Sequence, residues 1–317
     1  MRAYIIRRLL LMIPTVILVT LIVFLMIRLI PGSLVNIILS QFTQASELDR
    51  QNIIHQLGFD VPVMTQYLRW MGNIFLHGNL GSSLWTKVPV IDSIRVRWPV
   101  TLELGVMGII LAEVIALPIG IYSAIRQDTT GDYLARRLAI FCIAVPGFWI
   151  ATLIIVFPSI WWGYMPSIRL ITFAANPLGN LKMFIIPALV LGMEMSGMTM
   201  RMTRTMMLEV MRQDYIRTAW AKGLKERVVV IRHALKNAFI PIITIIGWQL
   251  PLLIGGTVII ENIFQLPGMG QLMINATNNR DYTMVSAVLF IYTIAMVVIN
   301  LIIDLIYAFL DPRVHYK

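Results

Sequence analysis

Six stretches of roughly 20 mostly apolar residues recur along the chain, at 9–30, 101–125, 138–162, 184–202, 239–260 and 284–310. A helix of that length matches the ~30 Å hydrocarbon core of a bilayer. Backbone polar groups in lipid must be satisfied within the chain, which helices do internally. The pattern predicts an all-α integral membrane protein with six transmembrane helices. The composition of the 317 residues agrees, with 58% hydrophobic, 13% charged and a mean hydropathy of +0.78, far from soluble averages. The first run is broken only by Pro14, Thr15 and Thr20 before Arg28. It is too long and uninterrupted for a cleaved signal peptide and is expected to stay as an anchor. Pro118, Pro146 and Pro251 fall inside runs, where kinks are expected rather than breaks.

Basic residues set the expected orientation. With the N-terminus cytoplasmic, 17 of the 26 lysines and arginines fall on inner segments, nine of them between Arg201 and Lys236. Six of the others lie between Arg28 and Arg97, mostly in a loop long enough to cross regardless of charge. Both termini are therefore expected in the cytoplasm. The net charge of +10 is then a positive-inside bias plus one basic loop, and it requires no nucleic-acid partner. A lone Cys142 excludes an intramolecular disulfide and any multi-cysteine metal site.

The chain reads as residues 1–98, a first span plus an exterior cap segment, and residues 99–317, a five-helix core with a cytoplasmic loop near 203–238. The cap carries "LGFDVP", "HGNLGSS" and "KVPV", with an amphipathic helical pattern over 63–76. A second turn-rich exterior stretch, "LPGMGQL", is expected to re-enter or cover the outer mouth. No internal repeat is evident, which weighs against a transporter built from inverted repeats.

The basic loop is the most informative segment. After a break expected near Gln213 and Asp214, "DYIRTAWAKG" reads as a short helix closed by Gly223, because glycine suits the left-handed conformation that ends helices. A second helix, "KERVVVIRHALKNAF", then runs into the fifth span. On charge alone, the commoner reading is an interfacial helix pair attracted to anionic lipid. Against it, Ala219 and Ala221 flank Trp220, a pattern suited to close docking in a groove of another protein with the Trp as anchor.

Ionisable residues inside spans are functional candidates by default. Glu113 and Glu194 lie deep, and either lines a translocation pathway or bonds to a partner helix, with the structural reading slightly favoured for Glu194. Asp304 sits about two turns before the inner end, where a helix–helix or loop hydrogen bond is favoured. Eight methionines between Met193 and Met211 suggest a soft-metal site, but they wrap around the helix and suit packing better. The chain has no His-Glu-x-x-His pattern, no recognisable catalytic set and no Gly-Lys dipeptide. No metal or catalytic residue is assigned, and without a Walker A loop the chain is not expected to be its own ATPase.

Several segments in order resemble one family, the membrane permeases of bacterial binding-protein-dependent ABC importers, in their dipeptide/oligopeptide/nickel branch. They are "RRLLLMIPTVILVTLIVFLMIRLIPG", "HGNLGSSL", "PVTLELG", "QDYIRTAWAKGL", "RHALKNAFIPIIT", "GGTVIIENIFQLPGMGQL", "NRDY" and "DLIYAFLDPRVHY". The family's loop has the form Glu-Ala-Ala, three residues, Gly. Here Arg217, Thr218, Ala219 and Gly223 occupy those positions, so the Glu and first Ala are absent, as in the peptide branch's own version. The resemblance implies a type I importer architecture in a bacterial or archaeal inner membrane. It also implies that Asp214, Tyr215, Arg217, Thr218, Ala219, Trp220, Ala221, Lys222 and Gly223 form an ATPase-coupling loop. Its implied partners are a second homologous permease, two cytoplasmic ATPase subunits that hold ATP and magnesium, and an exterior solute-binding protein. No cofactor is expected on this chain. The competing reading is a self-contained, gradient-driven secondary transporter or channel working through Glu113 and Glu194. The resemblance implies di- or oligopeptides as cargo, and the sequence does not decide between dipeptide, oligopeptide, nickel chelate and sugar.

Overall fold

A computed structural model describes residues 2–29, 51, 60–163 and 170–310. Much of the expected cap (30–50 and 52–59), part of the 163–182 segment and the C-terminal 311–317 lie outside the described residues.

Helices α1 (Arg2–Leu29), α2 (Val63–His77), α3 (Val90–Ile125), α4 (Thr130–Ala144), α5 (Gly147–Trp162) and α6 (Pro177–Met211) lead to the basic loop. There α7 (Asp214–Ala221) is followed by a short turn at Glu226–Val228 and a π-helical stretch, Val229–Leu235. Helices α8 (Lys236–Ile263), α9 (Met269–Asn278) and α10 (Tyr282–Leu310) follow. Among the described residues, five segments are individually long and apolar enough to cross a membrane: Ile6–Leu25, Val90–Ile125, Pro177–Met211, Glu226–Ile263 and Tyr282–Ile306.

The sixth span departs from expectation. The run at 138–162 is not one kinked helix: α4 and α5 meet at a 90° bend, and only together do they count as a span. Val145 is extended (φ −94°, ψ 121°) and Pro146 caps the next helix. A residue preceding proline is pushed out of the helical region, and Gly147 directly after Pro146 adds a turn signal. Pro118 and Pro251 sit inside unbroken helices, as expected. The helices also outrun their apolar cores. At ~1.5 Å per residue, the 36 residues of α3 and the 35 of α6 project well beyond a hydrocarbon layer. α6 begins at Pro177, with the Asn176 side chain accepting from Gly179 N at 3.0 Å.

The chain divides into two compact units. One comprises Met1–Ile5, Trp98–Gln271 and Val298–Lys317. In it α6 is the central post, touching α3 and α4 through small residues. A Cβ on Gly192 would strike Gly108 O, one on Gly120 would lie 2.9 Å from Met200 O, and one on Gly197 would lie 2.7 Å from Ala139 O. Such small-residue contacts let backbones approach closely, the usual route to helix association in lipid. Cys142 is buried beside Gly197.

The other unit comprises Ile6–Arg97 and Leu272–Val297. The amphipathic pattern at 63–76 is realised as α2, closed by Gly78 in the left-handed conformation. Thr20 and Tyr67 hydroxyls pair at 2.9 Å, and Phe24, Tyr67, Trp70, Phe75 and Phe290 form a run of ring contacts. Ser83, from "LGSS", donates to Asp281 of "NRDY" at 2.5 Å, and Asp281 accepts from Met284 N at the start of α10. Two motifs 198 residues apart are thereby joined.

Candidate functional site

Gln213 leaves the helical region (φ −74°, ψ 149°) and α7 begins at Asp214. Gly223 has φ +71°, and its amide donates to Trp220 O at 2.9 Å. A β-carbon is disfavoured in this conformation, so the chain reverses here on glycine. The expected break and the expected closing glycine both occur.

The helix has two faces. Ile216 and Ala219 are buried and join Ala124, Met207, Val229, Val230, Ala234, Ala238 and Ile242 in a cluster that ties α7 to α3, α6 and α8. Asp214, Tyr215, Arg217, Thr218, Trp220, Ala221, Lys222 and Gly223 are exposed. Ala219 was expected to let an outside partner approach; it seats the helix on its own chain instead. Trp220, 41% exposed, and Tyr215, 43% exposed, are the aromatic side chains of the outward face. Tyr215 OH accepts from Asn237 Nδ2 at 2.7 Å, tying the hairpin to α8, and Arg126 pairs with Glu226 at 3.5 Å. The second helix does not stand apart: the turn at Glu226, the π stretch and α8 run on from one to the next.

Beneath the hairpin lies a polar knot that the sequence reading missed. Asp132, fully buried at the start of α4, accepts a bidentate pair from Arg204 of α6 at 2.8 and 2.9 Å. It also accepts from Ser123 of α3 at 2.5 Å and from Asp128 N at 3.0 Å. A buried carboxylate is tolerable only when so compensated. Arg204 is 72 residues from Asp132, so no local pattern signals the pair.

A second buried carboxylate stands at the other end of α8. Glu261 is 0% exposed and accepts from Thr101 Oγ1 at 2.6 Å and from the amides of Gly270 and Gln271 at 2.6 and 3.1 Å. Thr101 in turn accepts from Met269 N at 2.8 Å. The "LPGMGQ" turn thus wraps a carboxylate with the first-turn amides of α9, where helix N–H groups lack internal partners. A Cβ on Gly268 would collide with that carboxylate, which explains the glycine. Glu261 did not emerge from the sequence because it reads as the polar end of an apolar run.

The other expected polar residues do not converge. Glu113, half-buried on α3, accepts from Thr199 of α6 at 3.1 Å, and its Oε2 is buried without a hydrogen bond. Glu194 lies on the exposed side of α6, and Asp304 is half-buried on α10. Met195, Met200 and Met207 are buried while Met198 is exposed, so the methionines surround α6. Among the described residues no three His, Cys, Asp or Glu side chains cluster as a metal site.

The family model "Binding-protein-dependent transport system inner membrane component" matches residues 116–316, and the corresponding N-terminal model matches 1–105. The chain is 38% identical over 320 residues to the oligopeptide transport system permease protein AppB of Bacillus subtilis, covering 100% of both. It is 35% identical over 340 residues to the dipeptide transport system permease protein DppB of Escherichia coli K12, again covering 100% of both. Among solved structures, it matches an inward-facing MetNI methionine ABC transporter with a TM-score of 0.56 at 16% identity, over 69% of this chain and 96% of that one. A second match, an amino acid ABC transporter, has a TM-score of 0.52 at 12% identity, over 69% and 94%. Likenesses at these identities speak to the fold alone.

Proposed function

The chain belongs to the binding-protein-dependent transport system inner membrane components, and from that premise we propose that it imports peptides through a pathway shared with a second, homologous permease. As a member it is a multi-pass inner-membrane permease subunit of an ABC importer, a transport subunit and not an enzyme. It works with an ATPase and a solute-binding protein, which sets aside the gradient-driven alternative. Our proposal adds two ATPase subunits holding ATP and magnesium, an exterior binding protein, cytoplasmic termini and a di- or oligopeptide cargo. The cargo rests on full-length likeness to permeases named for oligopeptide and dipeptide transport.

The single observation that carries the coupling role is the two-faced hairpin. Its underside is locked to α3, α6 and α8, while Tyr215, Arg217, Trp220 and Lys222 face out. A partner gripping the outer face pushes on three spans at once. The ATPase subunit grips here, and nucleotide-driven closure turns the pathway outward to receive cargo; hydrolysis returns it inward. Glu113, with one carboxylate oxygen unpaired, is the pathway candidate we favour; Glu194 and Asp304 are secondary.

The test is to co-express a tagged copy with its genomic neighbours, purify the assembly and measure ATP-dependent uptake of labelled dipeptide and oligopeptide into liposomes. Gly223→Val forces a β-branched residue to φ +71°, and it should leave ATP hydrolysis running while uptake stops. A lone chain, or full uptake by Gly223→Val, would sink the proposal.

A further inference from the structure

A cavity of about 270 Å³ opens between α3, α4 and α6, lined by Gly120 and Ser123, by Arg136 and Ala139, and by Met200, Arg201 and Arg204 among others. It holds several times the ~30 Å³ that a water occupies. Its charge is lopsided. Three guanidinium groups line it, and the neighbouring carboxylate, Asp132, is engaged by Arg204 through two hydrogen bonds and approached by Arg136 only at 3.5 Å. Asp128, the other acidic residue of this turn, accepts from Gln127. Arg201 is exposed and has no ion pair among the described residues.

Arg136 is held but not satisfied. The guanidinium carbon lies 4.4 Å from the centroid of the Tyr133 ring, a cation–π contact. Its Nε and Nη2 are buried without a hydrogen bond: Nε has only the 3.5 Å ion-pair contact to Asp132 Oδ1, and Nη2 has no acceptor. Buried donors without acceptors are rare and costly, and call for a partner. Nε and Nη2 form the edge that pairs bidentately with carboxylate or phosphate oxygens. Towards its apolar side the cavity is walled by Ile119, Ala139, Ile140 and Met200. The cavity therefore offers donors and positive charge beside hydrocarbon.

We propose that this cavity binds a phosphate group, donated to by Arg136 and Arg201, and that an anionic phospholipid headgroup fills it. Arg204 is the wall that Asp132 keeps in place. The site is separate from the exposed face of the coupling hairpin and does not depend on the cargo.

The probe is radiolabelled phosphatidylglycerol, added to the purified importer in detergent with phosphatidylcholine in excess. The wild type should retain phosphatidylglycerol in preference to phosphatidylcholine. The double variant Arg136→Gln/Arg201→Gln should bind it about tenfold more weakly, a loss of ~1.4 kcal/mol. Arg137→Gln, an equal charge change on an exposed neighbour that does not line the cavity, should bind as wild type. If the double variant does not assemble, Arg201→Gln alone carries the test, with an expected weakening of about threefold. Displacement of the lipid by millimolar inorganic phosphate supports a site that accepts the free anion. Failure of phosphate to displace it supports one that requires the lipid. Equal retention of the two lipids with no phosphate binding, or equal weakening by Arg137→Gln, overturns the proposal.

Discussion

Replacing Glu261 with alanine removes the acceptor for three donors at once: the Thr101 hydroxyl and the amides of Gly270 and Gln271. The site is fully buried, so none recovers a water without the turn opening. An orphaned buried donor costs about 1–3 kcal/mol, and with some relaxation of the turn the three together cost ~4 kcal/mol. At 1.4 kcal/mol per decade, that raises local opening roughly a thousandfold. Glutamine restores one acceptor oxygen, which can face the two amides, while its NH2 turns to Thr101. Neutral bonds are about half as strong as charge-assisted ones, so Glu261→Gln should lose only ~1.5 kcal/mol, near tenfold. The assay is hydrogen exchange by mass spectrometry on the lipid-reconstituted complex, following peptides that cover 264–272. Those peptides should exchange ~10³ times faster in alanine and about tenfold faster in glutamine, with peptides across 203–223 unchanged. Equal protection of 264–272 in wild type and Glu261→Ala would show that the carboxylate does not hold the turn, and the reasoning would fail.

Asp132→Ala leaves Arg204 without its bidentate partner; because the Arg204 side chain is 20% exposed, the loss should sit near the low end for a broken buried pair, ~3 kcal/mol. A denaturation midpoint equal to wild type would show that the Asp132–Arg204 pair does not stabilise the fold. Gly192→Val drives a branched side chain into Gly108 O and Ala112; overpacking of this kind costs about 1–3 kcal/mol or more, read as a lowered thermal midpoint of the purified complex. Trp220→Ala, on a side chain 41% exposed, should change that midpoint by less than the equivalent of ~0.5 kcal/mol. Its effect should appear as loss of the ATPase subunit on washing, since an interface Trp anchor is worth about 2 kcal/mol or more. ATPase retention equal to wild type would remove Trp220 from the interface.

The contrast among the prolines shows what was legible. Hydropathy locates the spans because lipid imposes a length, and Gln213 and Gly223 bracket α7 because breaks and left-handed caps are written locally. Pro118, Pro251 and Pro146 look alike by that measure, yet only Pro146 splits its run into helices at 90°. The dipeptide Pro146-Gly147 was the available signal. Ala219 was misread because a small residue permits close approach on either side, and only its spacing from Ile216 marks the inward face. Asp132 with Arg204, Glu261 with Thr101 and Ser83 with Asp281 are separated by 72, 160 and 198 residues. Periodicity carries no information across such distances, so each carboxylate could be noticed only as polar and never as paired.

The π-helical stretch Val229–Leu235 joins the hairpin to α8. Its hydrogen bonds reach five residues along instead of four, so each turn carries extra chain without an unpaired group. Along a helix, advance and rotation are geared together, ~1.5 Å and ~100° for every residue. A connector of this kind is a screw thread, not a rod. Exchanging a wide turn for a regular one would shift the gearing by one residue, so a displacement of α7 passed along this stretch would reach Lys236 as a twist as well as a shift. The angular position of α8 therefore depends on the bonding register of these seven residues, three of which, Val229, Val230 and Ala234, pack in the same apolar cluster as Ala238 and Ile242 of α8.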